Sequence, residues 1–273
     1  MKNRLISKIR KSGKSKDKMF CAFLTLGYPN LKTTAKLIQG FEDSGVDIVE
    51  LGFPFSDPMA DGPTIQFSSQ KALDKGVSVK DAFKMVKDLR KQGVQMPIIF
   101  FSYVNPIMAY GFKKFSRDAK GAGFDGVIVP DLPPKTEKGF DQACRKHGLS
   151  QVYLIAPTTG TKRAGNIVHQ SNGFVYYVSL RGVTGVRRSV PQDIKTHISR
   201  IRTKTSKPFL IGFGVSTPKQ AKVMSRMSDG VIVGSAIMDR LKKSGGKAKP
   251  VLRYVKQMVR STRSSKNAGS ARA

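Results

Sequence analysis

The 273-residue chain carries 49 Lys+Arg against 18 Asp+Glu, a formal charge of +31, with 39% hydrophobic residues and 26 glycines. This length fits one α/β domain of about 250 residues, and the composition excludes a disordered or fibrous chain. No apolar run reaches the ~18 residues of a membrane span, and the basic N-terminus MKNRLISKIRKSGKSKDKMF lacks the apolar core of a secretory signal, so the chain reads as cytoplasmic.

In chain order, residues 2–18 hold eight Lys/Arg and one acid, Asp17, and predict an extra N-terminal helix. Eight apolar runs follow: Phe20 to Gly27, Asp47 to Pro54, Pro97 to Val104, Gly126 to Leu132, Gln151 to Pro157, Phe174 to Leu180, Pro208 to Gly214 and Gly230 to Ile237. They are continuous rather than alternating, as parallel strands buried on both faces must be. Amphipathic segments separate them. From Val79 to Gln92, for example, Val79, Phe83, Met85, Val86 and Leu89 give one apolar face at helical spacing. Thr217-Pro218 has the cap and first-turn proline of a helix start. Strict alternation of strand and helix predicts a (βα)8 TIM barrel, a single domain over residues 1–260, with a disordered basic tail over 261–273. An open doubly wound sheet is the alternative, but Gly27-Tyr28-Pro29 does not supply its glycine fingerprint.

A charge balance this basic admits nucleic acid, an anionic membrane or an acidic partner. It is spread along the chain, which favours general surface composition. Cys21 and Cys144 stand outside any CxxC or metal-ligand spacing, indicate a reducing compartment and carry no visible chemistry.

Active sites of such barrels lie at the C-terminal ends of the strands. Glu50 sits inside an otherwise apolar strand, where a carboxylate must pair with a cation, face the barrel mouth or have its pKa raised toward neutrality for proton transfer. Asp61 follows in a loop stiffened by Pro54, Pro58, Gly62 and Pro63; standing alone, it reads as a turn-forming aspartate. The last three strands run into glycine-bearing loops, at Gly182 to Gly185, Gly212 to Ser216 and Gly234 to Ala236, which offer backbone amides to a phosphate. These residues describe an aldolase-like or isomerase-like barrel acting on a phosphorylated small molecule.

The run ELGFPFSDPMADGPTIQ, from Glu50 to Gln66, closely resembles the signature of the tryptophan synthase alpha chain family. So do FLTLGYP (23–29), FFSYVNPI (100–107), GVIVPDLP (126–133), APTT (156–159), GFVYYVSLRGVTG (173–185), IGFGVSTP (211–218) and DGVIVGSAI (229–237), in order over residues 20–240. The resemblance implies a carbon–carbon lyase splitting indole-3-glycerol phosphate into indole and glyceraldehyde 3-phosphate. It implies that Glu50 is the acid and base, that Asp61 balances charge developing at the indole nitrogen, and that Tyr176 supports Glu50. Phe23, Phe101, Tyr103 and Leu154 match the apolar wall around indole, although ordinary core packing explains such residues equally, Leu154 above all. Gly185, Gly214, Gly234 and Ser235 match the phosphate site, and Thr184 a mobile closing loop. No metal or organic cofactor is implied for this chain. The implied partner is a pyridoxal-phosphate-dependent beta chain, receiving indole through a tunnel in an α2β2 assembly.

The departure from the family is charge: the only glutamates are Glu42, Glu50 and Glu137, and Arg187 and Arg188 add positive charge near the expected partner face. An acidic beta chain would suit such a surface. Two other functions compete. A catalytically silent regulatory subunit would not need Glu50, Asp61, Tyr176 and every phosphate-loop glycine. A nucleic-acid binder would act through its basic ends by salt-sensitive phosphate neutralisation, but residues 240–273 hold only Tyr254 as an aromatic platform.

Overall fold

The computed structural model describes residues 3–15, 17–179, 190–212 and 214–263, with backbone alone at 190–193. The apolar runs form β1 (Met19–Thr25), β2 (Ile48–Gly52), β3 (Ile98–Phe101), β4 (Gly126–Ile128), β5 (Ser150–Val152), β6 (Leu154–Ile155), β7 (Val175–Val178), β8 (Phe209–Gly212) and β9 (Gly230–Val233). Among the described residues these nine segments make one parallel sheet, in the order β5-β4-β3-β2-β1-β9-β8-β7-β6. Its two edges are halves of a single strand broken at Tyr153, so the chain itself joins them and the sheet closes as a (βα)8 barrel. At the break the Tyr153 amide donates to the Ser171 hydroxyl at 3.0 Å, and its carbonyl accepts from the Tyr176 amide at 3.1 Å.

Alternation along each strand sorts side chains into two cores. Phe20, Ala22 and Leu24 face the surrounding helices, as do Val49, Leu51, Ile98 and Phe100. Met19, Cys21, Ile48, Ile99, Ile128, Val152, Phe174, Tyr176, Leu210 and Ile232 fill the barrel itself. Helices cover the outside where capping and amphipathic spacing allow. Among them α4 (Val79–Lys91) starts in a Ser78/Asp81 capping box, and α10 (Pro218–Met227) in a Thr217/Gln220 box with Pro218 in its first turn. The other helices among the described residues are α1 (Arg4–Ser15), α2 (Leu31–Asp43), α3 (Pro63–Leu73), α5 (Val104–Tyr110), α6 (Phe112–Ala122), α7 (Lys138–His147), α8 (Thr161–Gln170), α9 (Val190–Arg202), α11 (Ser235–Lys243) and α12 (Ala248–Thr262). Among the described residues no helix is long and apolar enough to cross a membrane.

The N-terminal helix expected from the sequence plugs the barrel floor: Leu5 of α1 is fully buried and joins the barrel-interior cluster. Around that plug, three of the chain's few acids bind the lower rim together. Asp47 accepts from the Phe20 amide at 2.8 Å and pairs with Lys8 and Arg263, each at 2.8 Å. Asp125 accepts from the Ile98 amide at 3.2 Å and pairs with Arg90 at 2.9 Å and Arg4 at 3.3 Å. Asp229 accepts from the Phe209 amide at 2.8 Å and pairs with Arg202 at 2.5 Å. Each carboxylate thus ties a neighbouring strand to a basic side chain. Asp125 is fully buried, and Asp125→Ala leaves the largely buried Arg90 guanidinium its bonds to the Gly123, Val94 and Met96 carbonyls but removes its counter-charge. The expected loss is about 3 kcal/mol, read as a lower urea midpoint; an unchanged midpoint would show that the rim does not hold the barrel.

The expected boundary at residue 260 falls inside α12, which runs to Thr262 because Thr262 is buried and Arg263 caps the Lys18 and Gly45 carbonyls. Residues 264–273 lie outside the described residues.

Candidate active site

At the opposite, C-terminal mouth lies a cavity of about 300 Å³ lined by Phe23, Glu50, Asp61, Phe101, Tyr176, Gly214, Gly234 and Ser235, among others. Strand register explains the assembly: Phe23 of β1 is level with Glu50 of β2, which is level with Ile99 of β3, and Tyr176 of β7 is level with Leu210 of β8. Glycines on the neighbouring strands make room for the large rings. A β-carbon at Gly52 would collide with the Phe23 ring, and one at Gly212 would lie 2.5 Å from the Tyr176 hydroxyl oxygen. Phe23 and Phe101 meet edge to face, centroids 5.5 Å apart at 86°, forming an apolar wall for a flat ring.

Glu50 is 1% exposed and its Oε1 has no hydrogen-bond partner among the described residues. Burial pushes its pKa from the ordinary 4.5 up to about 8, opposed by a hydrogen bond from the Cys21 thiol. Burial also raises Asp61, from 3.8 to about 6, and there the Tyr103 hydroxyl opposes the shift by donating to Oδ2 at 3.2 Å. At neutral pH the first carboxyl is therefore a neutral acid and the second a carboxylate. The Tyr103 oxygen also accepts from the Ala60 amide at 2.9 Å, which pins the loop that presents Asp61.

Beyond them the cavity reaches the start of α11, capped by Gly234, whose first turn carries no acid. Gly214 has φ +78°, a left-handed conformation suited to glycine. Glycine loops beside a helix N-terminus are a place for an anion.

Most of the residues singled out in the sequence converge here. Two differ in place: Tyr103 is buried behind the Asp61 loop rather than facing the cavity, and Leu154 packs against the barrel interior without lining the cavity. Thr184 and Gly185 lie outside the described residues. Thr64 and Ile65, within the Glu50 to Gln66 run, line the cavity without standing out in the sequence, as does Asp239, four residues into α11, which pairs with Lys243 at 2.7 Å. A helical step of four from Ser235 was the available signal for Asp239.

The model of the tryptophan synthase alpha chain family matches residues 9–267. The chain belongs to that family. The Geotalea daltonii tryptophan synthase alpha chain is 42% identical over 244 residues, covering 89% of this chain and 92% of the relative. The Geobacter sulfurreducens alpha chain is 45% identical over 221 residues, covering 81% and 83%. Among solved structures, tryptophan synthase subunit alpha from Legionella pneumophila superposes with a TM-score of 0.87 at 33% identity, covering 96% of this chain and 99% of that one. A chain of Mycobacterium tuberculosis tryptophan synthase gives 0.86 at 31%, covering 97% and 100%. Membership carries the activity: the tryptophan synthase alpha chain is a lyase that cleaves indole-3-glycerol phosphate in tryptophan biosynthesis.

Proposed function

We propose that indole-3-glycerol phosphate lies in this cavity with its indole ring against Phe23 and Phe101 and its phosphate at Gly214, Gly234 and Ser235; Gly185, expected at the phosphate, and Thr184, expected on a closing loop, lie outside the described residues. The protonated Glu50 carboxyl delivers its proton to the indole carbon that bears the side chain. The ring becomes cationic and the Asp61 carboxylate balances the charge at its nitrogen. Glu50, now ionised, takes the proton of the adjacent side-chain hydroxyl. The carbon–carbon bond breaks, the hydroxyl carbon becomes the aldehyde of glyceraldehyde 3-phosphate, and the bonding electrons restore neutral indole with Glu50 protonated again. Tyr176 packs beside Glu50 and supports its placement.

The separation of the two carboxyl pKa values carries this reading, because acid and counter-charge are needed in one site at one pH. Below about 6 Asp61 takes a proton and the counter-charge is lost; above about 8 Glu50 gives up the proton it must deliver. The expected profile of kcat/KM is a bell with limbs near these values. A profile flat from pH 5 to 9 would contradict the assignment.

The surface and the family support pairing with a tryptophan synthase beta chain in a cytoplasmic α2β2 complex. With 49 Lys+Arg against 18 Asp+Glu, an acidic partner face is favoured. The deciding assay follows indole release from indole-3-glycerol phosphate with and without the cognate beta chain: slow turnover alone and faster turnover in its presence support the reading, and no cleavage in either condition overturns it.

A further inference from the structure

Neither cysteine carried visible chemistry in the sequence, but β1 points Cys21 into the barrel beside Glu50. The two strands are paired in parallel, Cys21 level with Ile48 and Phe23 level with Glu50, so the thiol sits diagonally below the carboxyl on the same inner face. Cys21 is fully buried and Glu50 nearly so. Each group acts on the other: the thiol holds the Glu50 pKa down, and the carboxyl helps to hold the thiol's up. Among the described residues of the hydrophobic cluster filling the barrel, only Cys21 and Tyr176 carry a polar side-chain hydrogen.

We infer that Cys21 is a positioning residue for Glu50: from its place diagonally below on the same buried inner face, its thiol donates to the carboxyl group and fixes the orientation in which that group meets substrate. This rests on the assignment of Glu50 as acid and base. A carboxyl in an apolar barrel otherwise has little to fix its rotation, and a one-sided donor supplies that orientation while favouring the ionised form. The other ionisable groups lining the cavity with Glu50 come from three further elements: Tyr176 on β7, Asp61 before α3 and Asp239 on α11. Asp47, at the start of the Glu50 strand, acts on Cys21 from the floor side. Among the described residues no Lys, Arg or His lines the cavity, so no cation there duplicates the thiol's effect.

The test is a donor series. Cys21→Val fills the thiol's space without a donor, and Cys21→Ser supplies a stronger one. The basic limb of kcat/KM against pH should move up in Cys21→Val by about half a unit or more, with kcat several-fold lower at pH 7 and KM held. In Cys21→Ser the limb should return to the parent position or fall below it, with kcat recovered. Thermal melts establish that each variant is folded, and Cys21→Ala replaces the valine variant if that one is not. A basic limb unmoved in all folded variants overturns the inference. If Glu50→Gln is inactive while the limb stays fixed across the series, only the role of Cys21 fails; if Glu50→Gln keeps its activity, the assignment beneath it has failed.

Discussion

Glu50→Gln is expected to lower the rate of indole release by about 10²–10⁴-fold, the usual range for loss of a positioned acid–base group. The amide is almost the same shape and still fills the same place on β2, but it has no proton to deliver to a carbon and no basic oxygen for the hydroxyl. The substitution therefore removes chemistry while leaving the binding surfaces of Phe23, Phe101 and the glycine loops in place. A non-cleavable analogue without the side-chain hydroxyls should bind the variant about as well as the parent. A fully active Glu50→Gln would show that some other group moves the proton.

The same substitution should raise stability, and this opposite sign separates a catalytic role from a structural one. A carboxyl held at about 8 in the fold and near 4.5 when unfolded binds its proton more tightly in the native state. Stability from this group is full below the lower value and declines as pH rises toward the upper one, costing on the order of 3 kcal/mol by pH 7. Glutamine has no such liability. Its melting temperature should exceed the parent's at pH 8, and the gap should close near pH 4. A Glu50 that served mainly as a buried ion-pair partner would give the reverse, a variant less stable at every neutral or alkaline pH.

The barrel was legible because its strands are buried on both faces and so appear as unbroken apolar runs. Their ends were less so. β9 was expected to reach Ile237, yet it stops at Val233: Gly234 caps α11, and the apolar residues Ala236 and Ile237 continue the run as helix. β4 was expected to run to Leu132 and ends at Ile128, the following residues forming the turn around Pro130 and Asp131, whose carboxylate accepts from the Val104 amide at 3.0 Å. Within the site, Glu50 was conspicuous because a lone charge in an apolar strand demands a reason. Cys21 was not, since a cysteine in such a strand passes for a small hydrophobe. The diagonal that brings it to Glu50 depends on the register between β1 and β2, which no single strand encodes. Tyr103 matched the family's apolar wall, while its use depends on the hydroxyl, and only the folded loop shows that oxygen between the Ala60 amide and Asp61.

That hydroxyl shapes the second large effect. Asp61→Asn is expected to lower kcat by about 10²-fold, the scale of losing one preorganised electrostatic partner of a developing charge. The amide oxygen of asparagine still accepts from Tyr103, so the loop from Pro58 to Pro63 keeps its tether and substrate binding changes little. What disappears is the negative charge opposite the indole nitrogen, which matters only after Glu50 has protonated the ring; the loss therefore belongs in kcat rather than KM. The acid limb near 6 should vanish from the pH profile because no titrating group remains at position 61, while the limb near 8 persists. Tyr103→Phe supplies the complementary case. It keeps the charge and removes the donor that holds Asp61 down, so its acid limb should move upward and its kcat fall by less than in Asp61→Asn. An Asp61→Asn enzyme with parental kcat, or one whose acid limb remains near 6, would return Asp61 to the plain role of a turn residue.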